Sequence, residues 1–245
     1  MKRHSYIIKG HSNNDIEEQA INTYVDYYLY FLRSIAGGVW ETDELSKLET
    51  PNSQRLKNII ESHNVDYALI IFVGHGATQD DNQLFKLNEN EAIKAGQFVL
   101  NVPRQMIILE SCRSNIQNIP DIPVIDLSDQ LPKFENGGIV RAKINRDKAK
   151  ELFFGKLNSC DKGLVVCFAC SVGEQASNFL FTYGLLTISW NWHLDPGYHL
   201  QTLNINEIMK SLIKEIPKLS QREVGKIQTP EKIGEANFPF CISKF

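Results

Sequence analysis

Two stretches of this 245-residue chain decide its fold: Val65-Asp-Tyr-Ala-Leu-Ile-Ile-Phe-Val-Gly-His-Gly76 and Arg104-Gln-Met-Ile-Ile-Leu-Glu-Ser-Cys-Arg-Ser114. Each contains a short apolar run without polar alternation, at 67–73 in the first stretch and at 106–109 in the second. Such runs, rich in Ile and Val, are typical of strands buried on both faces of a parallel sheet. The two stretches therefore predict neighbouring parallel strands of an α/β domain.

A residue that can do chemistry follows each run, His75 after the first and Cys112 after the second. Reactive groups in open α/β sheets gather beyond the carboxyl ends of neighbouring strands, so these two side chains are expected to meet. A cysteine with a pKa of roughly 8.5 is mostly protonated at neutral pH, and a nearby imidazole activates it as a nucleophile. The alternative is structural, with His75 as an ordinary loop residue and Cys112 as buried packing.

Glycines flank the histidine at positions 74 and 76. They let the backbone turn sharply and approach a substrate closely. The backbone amides of Gly76 and Cys112 are therefore candidates for an oxyanion hole, which stabilises the negative oxygen of a tetrahedral intermediate.

Composition narrows the class of protein. A chain with 42% hydrophobic residues can bury a sizeable core, and a single α/β domain over residues 1–245 is expected. A net charge of −3 and a pI near 6.1 give no basic footprint for nucleic acid. No apolar run approaches the roughly 18 residues of a spanning helix, and the apolar run at the amino terminus is too short for a signal peptide. Five cysteines without a regular framework favour a reducing, cytoplasmic location.

The remaining patterns predict the order of the other elements. A first strand is expected at 5–8, helices after Asn13 and after Pro51, a strand at 163–169 and a last helix at 205–216. Apolar residues from Ala176 to Leu186 predict another helix that faces the core. The polar segment 77–103, with Asp80 and Asp81, is predicted to be a solvated loop that could alternatively bind a cation or a basic substrate. Segment 190–200 is assigned either to a groove wall or to surface packing.

Two features invite metal or processing chemistry. Cys167 and Cys170 have Cys-x-x-Cys spacing, but residues three apart on a strand point to opposite faces, so no metal site and no cofactor are expected. Segment 115–136 carries three prolines and little periodicity apart from a short strand at 123–127, which predicts an exposed and mobile segment. Asn145 is expected to cap the helix that follows it.

The strand, Gly-His-Gly, polar segment, strand and Glu-Ser-Cys-Arg-Ser together resemble the caspase and metacaspase superfamily of cysteine peptidases. Residue by residue, His75 matches the family histidine and Cys112 the family nucleophile. The block Cys170-Ser-Val-Gly-Glu-Gln-Ala176 is also similar to the segment that follows the nucleophile in bacterial caspase-like proteins. The resemblance implies a caspase-like three-layer sandwich, with a mostly parallel central sheet between helices, and substrate-binding roles for Ser171 and Glu174.

The resemblance carries an expectation about substrate specificity. Glu110 lies two residues before the nucleophile, where metacaspases have an acid that lines the pocket for the residue preceding the cut. A partly desolvated carboxylate there favours Arg or Lys and penalises Asp. The alternative is that Arg113 or Arg141 neutralises Glu110 and keeps it from substrate.

The function that follows is a cysteine endopeptidase with a Cys-His dyad that cleaves a protein substrate after a basic residue. In the family, activating self-cleavage often falls in the region that corresponds to 115–148 here, and relatives often act in bacterial antiviral defence or cell death. The resemblance also leaves room for an activator or an operon-encoded partner protein. Two alternatives stay open: an inactive caspase-like interaction module, and a different Cys-His hydrolase or acyl transferase.

Overall fold

The computed structural model describes residues 1–80, 82–114, 146–176, 179–199 and 201–244. The helices are α1 (Asp15–Arg33), α2 (Ser53–Glu61), α3 (Arg146–Ser159), α4 (Leu180–Leu194) and α5 (Ile205–Val224). The strands are β1 (Arg3–Lys9), β2 (Leu45–Glu49), β3 (Tyr67–Val73), β4 (Gly76–Gln79), β5 (Asn82–Lys86), β6 (Ala92–Lys94), β7 (Arg104–Glu110), β8 (Gly163–Phe168), β9 (Thr202–Asn204), β10 (Glu231–Ile233) and β11 (Pro239–Ile242). Within these ranges, no helix combines the length and apolarity that crossing a membrane requires.

A six-stranded sheet in the order β10-β8-β7-β3-β1-β2 forms the centre of the fold. All neighbouring strands are parallel except β10, which pairs antiparallel with β8 at one edge. After α5 the chain returns to this edge of the sheet as β10. Two small antiparallel sheets, β4-β5-β6 and β9-β11, accompany the central one.

Helices and the β4-β5-β6 sheet cover the two faces of the central sheet. In β3, Leu69 and Ile71 pack in the core beneath α1, α3, α4 and α5, whereas Ile70 and Phe72 pack in the core on the side of α2 and the β4-β5-β6 sheet. Every residue of β3 is buried, as the unbroken apolar run predicts for a strand enclosed on both faces. The predicted three-layer α/β sandwich with a mostly parallel sheet is confirmed.

The strand order brings the carboxyl ends of β1, β3 and β7 together at one edge. The amide of Gly10 donates to the carbonyl of Val73 at 2.8 Å, and the amide of Gly74 donates to the carbonyl of Glu110 at 3.1 Å. The backbones therefore stay in register for one residue beyond each strand. The segments that follow these three strands must lie side by side.

The prediction of a solvated loop over 77–103 is wrong. The segment folds into β4, β5 and β6, and its apolar residues Phe85 and Phe98 are fully buried against Phe72, with ring centroids 5.2 and 5.8 Å away. Phe85 and Phe98 form the buried face of this segment, but the many polar residues around them in the sequence mask the apolar pattern that would predict strands. Asp80 occupies the β4-β5 turn with a left-handed φ of 48°, and Asp81 lies outside the described residues.

Other boundaries differ from the sequence-based expectations. Strand β2 was not predicted, since its Leu-Ser-Lys-Leu-Glu sequence is mostly polar and it pairs at the sheet edge. Helix α4 begins at Leu180 rather than near Ala176 and continues to Leu194, because the backbone of Phe179, with a left-handed φ of 54°, is not helical. The first residues of segment 190–200 therefore belong to α4, and the rings of Trp192 and Tyr198 pack against each other by stacking. The predicted strand at 123–127 and the Asn145 cap lie outside the described residues.

Candidate active site

Three hydrogen bonds, two from the β4-β5 hairpin and one to the loop after β8, fix the backbone segment 111–114, which carries Cys112. The Gln83 side chain donates to the carbonyl of Cys112 at 2.9 Å, and the amide of Thr78 donates to the carbonyl of Ser114 at 2.9 Å. On the other side, the amide of Arg113 donates to the carbonyl of Glu174 at 3.0 Å. The β4-β5 hairpin and the loop after β8 thus hold Cys112 in place.

The thiol of Cys112 is nearly enclosed, with the residue 8% exposed. Burial raises its pKa to about 11, although a hydrogen bond with the backbone of Ala176 lowers the pKa. The thiol also donates to the Ala176 carbonyl, 3.5 Å from Sγ. The negative charges of Glu110 and Glu17 raise the pKa further. The group is therefore a neutral thiol at pH 7, and attack on a carbonyl requires a base that removes its proton.

His75 occupies the equivalent place after the neighbouring strand. Val73 pairs with Glu110 in the sheet, so His75 and Cys112 each lie two residues beyond a matched pair. The Nε2 atom of His75 is 3.0 Å from Oε2 of Glu17 and 3.1 Å from the side-chain nitrogen of Asn13. The imidazole is 21% exposed, which leaves it accessible from the surface.

Gly76 lies directly against the backbone of the Cys112 segment. A Cβ atom at this position would be 2.8 Å from the carbonyl oxygen of Cys112 and 2.7 Å from Oγ of Ser111. Only glycine fits such an approach without displacing the backbone. The structure therefore places the His75-Gly76 segment against the Cys112 segment, while contact between the His75 and Cys112 side chains and the oxyanion-hole role of the Gly76 and Cys112 amides stay predictions.

Glu110 is buried at the amino-terminal end of α4, with the residue 2% exposed. Its Oε2 accepts hydrogen bonds from the amide of Thr182 at 2.7 Å and from the hydroxyl of Thr182 at 2.6 Å. Within the described part of the chain, Oε1 is buried without a hydrogen-bond partner. Burial raises the pKa of Glu110 to about 7, although both bonds from Thr182 oppose that change.

Arg113 forms its ion pair with Glu231 of β10 rather than with Glu110. Its Nη1 also donates to the carbonyl of Cys170 at 3.2 Å, and its guanidinium lies 4.1 Å from the centre of the Phe168 ring. Arg141, the other cation considered as a partner for Glu110, lies outside the described residues. Arg113 thus ties the segment that carries Cys112 to the edge of the sheet.

Ser171 and Glu174 form the loop after β8. The carboxylate of Glu174 accepts hydrogen bonds from the amide of Thr229 at 2.6 Å, the hydroxyl of Thr229 at 3.1 Å and the amide of Ser171 at 3.2 Å. The hydroxyl of Ser171 donates to the Thr229 carbonyl at 3.1 Å. These contacts join the loop to the segment before β10, and the substrate-binding roles of both residues stay predictions.

The Cys-x-x-Cys pair does not share a ligand position with other metal-binding side chains. Cys167 is fully buried in the core, and Cys170 points its Sγ toward the carbonyl of Ser111 at 3.5 Å. Across the ranges given above, no group of three His, Cys, Asp or Glu side chains could hold a metal ion.

Sequence reasoning missed two contacts of the site. Glu17 and Asn13 belong to the start of α1, where the Asn-Asn-Asp sequence indicates only a helix cap. Thr182 lies in the helix predicted before Leu186, but the sequence does not indicate its hydrogen bonds to Glu110. The signal that could have found Glu17 is the sheet order, because β1 neighbours β3 and the residues after the two strands must meet.

Comparison with solved structures identifies the class of fold. Caspase-1 from Spodoptera frugiperda superposes with a TM-score of 0.56 over 95% of this chain and 88% of its own, at 10% sequence identity. The Drosophila initiator caspase Dronc matches with a TM-score of 0.48 over 97% of this chain and 81% of its own, at 8% identity. No protein-family model matches the sequence. A search of curated proteins also found no match. The chain has a caspase-like α/β fold, as the resemblance in its sequence implies.

Proposed function

We propose that this chain is a cysteine endopeptidase in which Cys112 is the nucleophile and His75 the general base and acid. The observation that carries the proposal is the matched placement of the two residues beyond β3 and β7, where Gly76 touches the Cys112 backbone. The caspase-like fold supports this class of reaction. The buried and neutral thiol is consistent with a base that acts only when substrate is bound.

The proposed reaction has two stages. His75 takes the proton of the Cys112 thiol as sulfur attacks the carbonyl carbon of the substrate, and the amides of Gly76 and Cys112 bind the resulting oxyanion. The carbon–nitrogen bond then breaks, and the amine leaves with the proton from His75. In the second stage, His75 deprotonates a water molecule that attacks the thioester, and the thiol takes back its proton as the acid leaves.

We further propose that the cleavage follows Arg or Lys and that Glu110 is the reason. The buried Oε1 of Glu110 has a free acceptor position, two residues before the nucleophile. A cation brought to it would favour the ionised carboxylate and form a charge-assisted hydrogen bond. The competing role is structural, because Oε2 already satisfies the first turn of α4 through Thr182.

Hydrolysis of a peptide panel that varies only the residue before the scissile bond tests the function. Cleavage after Arg or Lys is expected, with no cleavage by Cys112→Ala or His75→Ala, because each variant removes one half of the dyad. Cys160→Ala, at a half-buried thiol away from the nucleophile segment, is the matched control and should retain activity. Cleavage that survives Cys112→Ala would refute the assignment.

Glu110→Gln tests the specificity. The variant should lower kcat/KM for Arg and Lys substrates tenfold or more, a loss of about 1.4 kcal/mol in transition-state stabilisation. Substrates with a neutral residue at that position should change far less, since they do not use the charge. An unchanged kcat/KM for the basic substrates, together with a lower melting temperature, would assign Glu110 to the α4 cap alone.

A second candidate function has one observation in its favour. The Cys112 thiol donates to Ala176, and its raised pKa suits a buried side chain in an inactive caspase-like interaction module. No hydrolysis across the panel, with no reaction of Cys112 toward a peptide-directed electrophile, would favour that module. A stable acyl-enzyme that reacts with an amine instead of water would favour an acyl transferase. The natural protein substrate, an activator or partner and a role in bacterial defence remain predictions from the resemblance.

A further inference from the structure

The contact between Glu17 and His75 extends the dyad. We infer that Glu17 is a positioning residue that orients the His75 imidazole and stabilises the imidazolium formed during catalysis. This inference rests on the proposed function. The inference rests on the geometry at the ends of β1, β3 and β7, where α1 begins beside the histidine.

Two contacts besides the imidazole fix the Glu17 side chain and its backbone. Its Oε2 accepts a hydrogen bond from the amide of Asn13 at 2.8 Å, and its own amide donates to Oδ1 of Asn14 at 3.0 Å. These two hydrogen bonds, one with Asn13 and one with Asn14, anchor the first turn of α1. The carboxylate reaches His75 from a side chain that is only 12% exposed. A partner that is already fixed costs little conformational entropy when it holds a second side chain.

The contact selects one tautomer of the imidazole. An ionised carboxylate can only accept hydrogen bonds, so the hydrogen between Glu17 and His75 resides on Nε2. The side-chain nitrogen of Asn13, 3.1 Å from Nε2, is also a donor and therefore bonds the Glu17 carboxylate rather than the protonated Nε2. Burial opposes ionisation of Glu17, but the hydrogen bonds from Asn13 and His75 outweigh it and keep the pKa of the carboxyl below its ordinary value. Nε2 therefore donates, and Nδ1 retains the lone pair that a base needs to take the thiol proton.

The same contact favours the charged state of the reaction. When His75 takes the proton from Cys112, it becomes a cation 3.0 Å from an ionised and largely enclosed carboxylate. Such charge-assisted hydrogen bonds are roughly twice as strong as neutral ones. The stabilisation is greater in the transition state than in the resting protein, so it should act on kcat rather than on KM.

Glu18 provides a matched control on the same helical turn. Its carboxylate pairs with Lys9 and with the hydroxyl of Ser12 instead of with His75. Glu17→Gln and Glu18→Gln each remove one negative charge from the first turn of α1. Only the first change removes the charge beside Nε2, and it leaves an amide whose oxygen can still accept but whose nitrogen can donate to the ring instead.

Steady-state kinetics of the two variants on an Arg peptide test the inference. Glu17→Gln should lower kcat at least tenfold while KM stays within about twofold, and Glu18→Gln should keep both constants within about twofold of the unmodified protein. Melting temperatures of the two variants show whether a loss comes from unfolding. Equal kcat for Glu17→Gln and the unmodified protein would overturn the inference, as would a loss confined to KM.

Nitrogen NMR of the imidazole gives a readout that does not depend on catalysis. In the unmodified protein, the neutral His75 ring should carry its hydrogen on Nε2, and Glu17→Gln should weaken that preference whereas Glu18→Gln should not. A ring protonated on Nδ1 in the unmodified protein would refute the role of Glu17. If the unmodified protein shows the Nε2 tautomer but hydrolyses no peptide, the result counts against the proposed function and not against the contact between Glu17 and His75.

Discussion

Burial raises the pKa of two acidic groups at the candidate site, the thiol of Cys112 and the carboxyl of Glu110. The pKa of Cys112 rises to about 11 and that of Glu110 to about 7, in each case chiefly because the charged form is kept from water. The consequence differs between the two. Cys112 stays neutral throughout the physiological range, whereas Glu110 titrates near pH 7.

The titration of Glu110 predicts a pH dependence of stability. Its folded pKa of about 7 exceeds the ordinary value of 4.5, so the folded chain binds this proton more tightly than the unfolded chain between those two values. Stability from this group is therefore complete below pH 4.5 and is lost as the pH rises through 7. Between pH 5 and pH 7 the expected loss is about 2 kcal/mol in the free energy of unfolding.

Urea unfolding of the unmodified protein and of Glu110→Gln at pH 5 and pH 7 measures this loss. The variant carries no titrating group at this position, so its stability should fall less over the interval than that of the unmodified protein. The difference between the two falls should be about 2 kcal/mol. Equal falls would mean that Glu110 is ionised in the folded protein at pH 5, contrary to the effect of its burial.

At the scale of elements, the sequence predicts those strands and helices whose residues form an apolar pattern along the chain. The unbroken runs of β3 and β7 located the two central strands, and their matched register places His75 and Cys112 at one edge. Strand β2 and the β4-β5-β6 sheet escaped prediction, because few of their residues are apolar and burial of Phe85 and Phe98 depends on contact with a distant strand.

The start of α4 shows a second limit of local pattern. Apolar spacing continues back to Ala176, but the backbone of Phe179 is left-handed and the helix begins one residue later. The amide of Thr182 in its first turn is satisfied by Glu110, which comes from another strand 72 residues away. No local capping signal identifies such a helix end, because its partner is supplied by tertiary structure.

The candidate site shows the same division between local and tertiary information. Residue type and strand-end position predict His75 and Cys112 as the candidate dyad. Glu17 was identifiable only once the neighbours of β3 were known, since several strand orders are compatible with the same sequence pattern. The orientation of the thiol toward Ala176 was also beyond prediction, because it depends on the side-chain packing of the loop after β8.

At the scale of the whole molecule, the three layers serve the site by fixing one edge of the central sheet. Helix α1 supplies Glu17, the β4-β5 hairpin supplies Gln83, and the loop after β8 supplies Ala176. Each face of the sheet thus contributes a contact to the His75 or Cys112 segment. The predicted self-cleavage between Cys112 and Gly163 falls largely on 115–145, outside the described residues, and stays a prediction.

Labelling with an Arg-directed peptidyl acyloxymethyl ketone tests the central claim most directly, since this reagent forms a thioether with an active-site cysteine. The assigned dyad predicts one label per chain, located on Cys112 by peptide mass mapping, and labelling at least tenfold slower in His75→Ala because the base is lost. The corresponding Asp-directed ketone is the matched control and should react more slowly. Equal labelling of Cys112 with and without His75, or labelling only at another cysteine, would contradict the Cys112–His75 dyad.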